Sequence, residues 1–230
     1  MSKMNGPINR TFKRKDKKMK KRINNTSVLM VVAVGLMLMQ FGCGSNAAVK
    51  TGFLTDYSRL RSESSTSLRH INKKALAGYS SFIVDPVEVH FHRGAKAVEH
   101  RTKGKLTQRQ VTDLRNYFHA RIIKAVEDSG SKVVYRPAVG VARLRVALTD
   151  IDRSTAASLI PQAKLVGAGI GGASMEAEVV DSMTGEQIGA VVESKKGSKM
   201  PFANLGEWDA AKQVMNDWAT RLQKRLDEVH

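Results

Sequence analysis

The apolar positions of this chain change their period several times, and each period predicts an element. Residues 28–42 form an apolar run in which Gln40 is the only strongly polar member. Residues 82–91 are rich in β-branched and aromatic side chains. From Val87 they alternate, with Val87, Val89 and Phe91 on one face and Pro86, Glu88, His90 and His92 on the other. Pro86 cannot donate to a ladder, so this strand is expected at an edge or with a bulge. Thr107 and Gln110 have capping-box spacing, and Leu106 and Val111 occupy the positions of a hydrophobic staple. Val111, Leu114, Phe118, Ile122, Ala125 and Val126 then make one apolar stripe, a helix that Ser129-Gly130 stops.

Three strands are predicted next. The segment 132–135 is short. Residues 141–151 set Leu144, Val146 and Leu148 opposite Arg143, Arg145 and Thr149, and 174–180 set Met175, Ala177 and Val179 opposite Glu176 and Glu178. A turn over 181–186, with Gly185 free to take positive φ, leads to a return strand over 187–193. A second helix over 207–228 carries Trp208, Ala211, Met215, Trp218, Leu222 and Leu226 on one stripe, the tryptophans reading as core anchors. Residues 62–67 read as loop, since Ser and Thr offer the backbone competing local bonds. The order β-α-β-β-β-β-α predicts an α+β domain: a mainly antiparallel sheet of about four to five strands, two helices packed on one face, and the other face wet.

Charge changes the picture at the N-terminus. The formal net charge is +17, of which residues 1–26 supply +9, leaving +8 for the rest. The basic n-region 1–26, the apolar h-region 28–42 and the small residues around Cys43 have the layout of a secretory signal over 1–42. Fifteen residues at ~1.5 Å reach only ~22 Å, short of a ~30 Å hydrocarbon core. Cys43 is the sole cysteine, so no intramolecular disulfide exists and the thiol calls for another role. Its place at the end of the apolar run resembles a lipobox, in which the cysteine is lipidated and becomes the new N-terminus. Gln40 stands where a lipobox usually has Leu. Residues 43–51 are then a lipid-anchored tether and 52–230 a single domain. No charge lies between Ile23 and Val49, so an uncleaved signal anchor in the inner membrane is the competing expectation.

Candidate chemistry is sparse. Residues 167–172 match G-x-G-x-x-G, but the segment after them alternates as a strand, whereas dinucleotide binding needs a helix N-terminus there. A Gly-rich loop is the reading, with Leu159, Ile160, Leu165, Val166 and Ile170 able to meet a membrane or partner. Glu88, His90 and His92 on one strand face are the weak metal candidates, at ~6.6–7 Å between neighbours. Arg93, Lys96, Arg101, Lys103, Lys105 and Arg109 against Glu99 form a basic loop, read as a solvated face that could also sit on anionic lipid. No aromatic interleaving accompanies these charges, so nucleic acid is not an expected partner. No nucleophile elbow, H-E-x-x-H or Walker loop is present. No cofactor is expected, and a non-enzymatic module is the leading expectation. An envelope enzyme using the Glu88, His90 and His92 face is the remaining alternative.

Several segments together resemble a known family. They are Gly52-Phe-Leu-Thr-Asp-Tyr-Ser-Arg-Leu60, Asp85-Pro86-Val87, Leu144-Arg-Val-Ala-Leu-Thr-Asp150, Ala173-Ser-Met-Glu-Ala-Glu-Val-Val-Asp-Ser-Met-Thr-Gly-Glu186, and Trp208-Asp-Ala-Ala leading to Asp217-Trp-Ala-Thr-Arg-Leu222. In this order they resemble the bacterial lipoprotein family catalogued as domain of unknown function 3313. The resemblance implies a periplasm-facing lipoprotein of a Gram-negative bacterium, with Gly44 after the cysteine similar to outer-membrane sorting signals. It carries no catalytic residues. An envelope protein partner is the further expectation.

Overall fold

A computed structural model describes residues 48–155, 170–197 and 206–229. In chain order the elements are β1 (Arg61–Ser64), β2 (Ser67–Ile71), α1 (Lys73–Leu76), β3 (Ser81–Val84), β4 (Glu88–Val89), α2 (Lys96–Thr102), α3 (Gln108–Asp128), β5 (Lys132–Val133), β6 (Val141–Asp152), β7 (Gly172–Asp181), β8 (Gln187–Lys196) and α4 (Asp209–Asp227).

The strands form one eight-stranded sheet in the order β1-β2-β8-β7-β6-β3-β5, with β4 also on β6. The expected mainly antiparallel sheet of four to five strands with two helices is therefore corrected to eight strands of mixed direction with four helices among the described residues. β1, β2, β8, β7 and β6 pair antiparallel, whereas β3, β4 and β5 join through parallel pairs. The reason is the strand–helix–strand connection: a 21-residue helix between β3 and β5 brings the chain back in the same direction, the usual crossover for parallel neighbours. Asp85-Pro86-Val87 breaks the long strand expected over 82–91 into β3 and β4, both on β6.

Of the additional antiparallel strands, β1 falls largely in the loop expected over 62–67 and β2 begins at its last residue. β1 is exposed along its length and carries Arg61, Ser62, Glu63 and Ser64, a polar edge that discourages pairing with another chain. Its polarity left no apolar alternation to detect.

α3 is built as its sequence dictates. Thr107 Oγ1 accepts from Gln110 N at 3.2 Å while Gln110 Oε1 accepts from Thr107 N at 2.9 Å, a complete capping box. Leu106 and every residue of the predicted stripe are buried. α4 lies beside α3, and the Phe118 and Trp218 rings meet at 5.7 Å between centroids. Both helices cover the face of the sheet carrying Leu144, Val146, Leu148, Met175 and Ala177.

The opposite face is not wet. Residues after Ala48 cross it, and Phe53, Leu54 and Leu60 pack there on Ala147, Ala190 and Val192. Full burial of side chains like these stabilises by about 1.5–3 kcal/mol each. The charged alternates expected to face solvent are covered: Glu176 is 0% and Glu178 1% exposed.

Candidate functional site

Glu176 and Glu178 stand on β7, a central strand with β6 and β8 on its two sides. Residues 51–57 lie over both carboxylates. Thr51 N donates to Glu176 Oε1 and Tyr57 Oη donates to Glu176 Oε2. Glu178 Oε2 accepts from Thr55 N at 2.9 Å, from Thr55 Oγ1 at 2.7 Å and from Gln187 Nε2 at 2.8 Å, while Glu178 Oε1 accepts from Arg145 NH1 at 2.6 Å. Tyr57 Oη in turn accepts from Gly52 N at 2.9 Å and Leu54 N at 3.1 Å. Gln187 Nε2 also donates to Asp56 O at 3.0 Å. Burial, reinforced by the hydrogen bond to Glu176, pushes the Tyr57 phenol above its ordinary value, which keeps it a donor.

Each carboxylate oxygen is thus engaged by a donor of the protein. A buried carboxylate is tolerated only when its lone pairs are satisfied in this way. The arrangement works as a latch that ties residues 51–57 to the middle of the sheet. Arg145 completes it, with its guanidinium 4.9 Å from the centre of the Phe53 ring. Phe53 also meets the His90 ring edge-on at 5.2 Å between centroids.

The residues singled out in the sequence fall in different places. Glu88 Oε2 and His90 Nε2 are 2.9 Å apart, and His90 N still donates to Leu148 O of β6 at 2.9 Å although β4 ends at Val89. Among the described residues no group of three or more His, Cys, Asp or Glu side chains is placed to hold a metal ion. The stretch read as a basic loop contains α2, with Ala97 and His100 buried. There Glu99 pairs with Lys103 at 2.5 Å and Lys96 at 3.3 Å, and these contacts lower its carboxyl pKa to about 2. Asp150 Oδ1 accepts from Ala97 N at 2.8 Å at the start of α2. His100 Nε2 lies 3.3 Å from Asp152 Oδ1, whose carboxyl burial pushes up and His100 pulls back.

Of the G-x-G-x-x-G stretch, residues 170–172 are described. Gly172 opens β7, two residues ahead of the strand expected from 174. A Cβ on Gly171 would lie 2.4 Å from Asp152 O, and one on Gly172 would lie 2.3 Å from Lys195 O. These glycines let the backbones of β6, β7 and β8 approach one another. Cys43, the basic and apolar segments before it, Gly44 and residues 156–169 lie outside the described residues.

The latch was not foreseen. Its signal was present in β8, where Ala190 and Val192 put small and apolar residues on the face assigned to water. The segment 52–60 and the Glu-Ala-Glu of β7, both carriers of the family resemblance, touch in the structure.

The family model described as "Protein of unknown function (DUF3313)" matches residues 49–222. A search of curated proteins finds no match. Among solved structures the chain is similar to the PelC dodecamer from Paraburkholderia phytofirmans, at 12% identity, with 71% of this chain and 96% of that chain covered and a TM-score of 0.41. A single-substitution variant of that dodecamer matches at 14% identity, covering 69% and 96%, with a TM-score of 0.40. No helix among the described residues is long and apolar enough to cross a membrane.

Proposed function

The chain belongs to the DUF3313 family, and from that premise we propose that it is a lipid-anchored envelope protein facing the periplasm, a non-enzymatic binding or structural module. In this reading Cys43 carries the acyl groups and the domain sits at the inner leaflet of the outer membrane of a Gram-negative bacterium. The observation that supports it is the latch. Ala48 N already donates to Ser65 O at 3.4 Å, and Thr51 and Thr55 are tied to Glu176 and Glu178. Five peptide units from Cys43 to Ala48 span at most ~18 Å. An anchor at Cys43 would therefore hold the domain close to the bilayer, and force on the anchor would pass to the central strand. Two or more acyl chains give stable attachment where one is marginal. The partners proposed are the membrane and a second envelope protein, with no nucleic acid.

The test is the Cys43→Ala variant expressed in a Gram-negative host. Palmitate labelling and globomycin-sensitive processing of the wild-type chain, both lost in the variant, are expected. Unchanged processing and membrane retention of Cys43→Ala would overturn the lipid anchor. That outcome would favour an inner-membrane signal anchor, a reading supported by the uncharged stretch between Ile23 and Val49.

A further inference from the structure

On the helix-covered face, a cavity of about 100 Å³ lies between the sheet and α4. Its floor is apolar and buried: Phe118, Ile122, Leu144, Val146, Ala177 and Leu226 line it. Its rim, Ile71, Leu222, Arg221 and Arg225, is half-buried, so the cavity opens between β2 and the last turns of α4. Interiors are normally packed without voids of this size. An apolar cavity of ~150 Å³ stays dry and takes up a benzene-sized guest. This one has room for a single small hydrocarbon segment, and not for a two-chain lipid.

The rim has a sign. Arg69, on the same sheet face as Val191, pairs with Glu63, and Arg221 NH2 pairs with Glu193 at 2.7 and 2.8 Å. Arg225 makes no hydrogen bond or ion pair among the described residues. Burial, with repulsion from Arg69 and Arg221, holds its pKa below the usual arginine value, and Glu193 and Glu228 only partly offset this. Glu228 is itself paired with Lys73 at 3.1 Å. Two of the lining residues, Arg221 and Trp218, also carry a buried donor without a partner among the described residues, Arg221 Nε and Trp218 Nε1. Of the two acidic residues that line the cavity, Glu193 is already committed to Arg221. Arg225 thus borders an apolar hole without an ion-pair partner of its own among the described residues, the nearby Glu193 and Glu228 being paired with Arg221 and Lys73.

We propose that this cavity binds the hydrocarbon tail of a small single-chain anion, with the anionic head held at Arg225. A carboxylate or a phosphate monoester satisfies the guanidinium, whose planar fork suits both. The tail fills the void and displaces no structured polar group. Glu178 also borders the cavity, but its carboxylate is engaged in the latch by Thr55, Gln187 and Arg145.

The test uses the full chain in phosphatidylcholine nanodiscs and reads contact quenching of Trp218, one of two tryptophans, in a Trp208→Phe background. The probes are 8-bromooctanoate, 8-bromooctyl phosphate and neutral 8-bromooctanol. Saturable quenching by at least one anion is expected, at least tenfold tighter than by the alcohol and at least tenfold weakened by Arg225→Gln. The anion that binds more tightly identifies the head group. Ala177→Leu, which fills the floor, is expected to abolish the quenching. Should Trp208→Phe fold poorly, the wild-type chain gives the same comparison, with only Trp218's share of the emission quenched. Equal quenching by acid, phosphate and alcohol, quenching that rises without saturation, or indifference to Arg225→Gln would overturn the proposal.

Discussion

Thr55 and Glu178 are 123 positions apart, yet one oxygen of Glu178 accepts from both the backbone N–H and the hydroxyl of Thr55, at 2.9 and 2.7 Å. The same carboxylate binds Arg145 and Gln187, so the N-terminal segment, β6, β7 and β8 meet at one buried charge. Removing that charge strands its donors. Glu178→Ala is expected to cost about 3–5 kcal/mol in chemical denaturation, the range for breaking a buried ion pair. It is also expected to speed hydrogen exchange at residues 51–57 more than in α3. A loss below about 1 kcal/mol with unchanged exchange would contradict the latch.

Gly172 owes its identity to crowding. A Cβ there would lie 2.3 Å from a backbone oxygen of β8, and a backbone atom cannot rotate away as a side chain can. Gly172→Ala is expected to destabilise by about 1–3 kcal/mol, in the range of overpacked sites. Gly185→Ala, at a turn with φ of 75° and open space around it, tests a different cause, since there only the backbone conformation is strained. Equal stability of wild type and Gly172→Ala would contradict the close approach.

The capping box of α3 is a reciprocal pair. Thr107→Ala is expected to cost about 1 kcal/mol. Gln110→Ala in the same background is expected to add less than it costs alone, because the two side chains act on one helix end. Full additivity in a double-mutant cycle would mean that the pair does not act as a unit.

Glu99 gives a pH-dependent signature. Its folded pKa, about 2, lies below the ordinary 4.5 because Lys103 and Lys96 favour the carboxylate. The folded state therefore binds the proton less readily than the unfolded one. The contribution of Glu99 is complete above about 4.5, is lost as pH falls, and is gone below about 2. The pair is solvent-exposed, so salt should weaken it. A carbon-detected titration of the Glu99 carboxyl is expected to report a midpoint well below 4.5 that rises in 1 M salt. A midpoint near 4.5 at low salt would contradict the contacts.

What was legible in the chain was local. Thr107, Gln110 and the Val111–Val126 stripe lie within one helix, so their spacing alone specifies it. The β7–β8 hairpin was equally readable, because Asp181 Oδ1 caps its own turn through Met183 N and Thr184 N, and Gly185 supplies the positive φ. Strand direction was not local. The pairing of β3 with β6 depends on where a long crossover returns, and no residue of β3 records it. β1 stayed hidden because an exposed polar edge has no apolar period. Glu176 and Glu178 were read as solvated because their partners, Thr51, Thr55 and Tyr57, are more than a hundred residues away in sequence. α2 was hidden inside a run of charges, its own buried residues being only Ala97 and His100.

The latch would give a lipid at Cys43 a fixed point of attachment, and that lipid is the central proposal. Its most direct test is the intact mass of the protein extracted from membranes. The account predicts the mass of residues 43–230 plus an acylated glyceryl group. A mass equal to the full 230-residue chain would contradict it, and residues 1–42 would then be the membrane anchor.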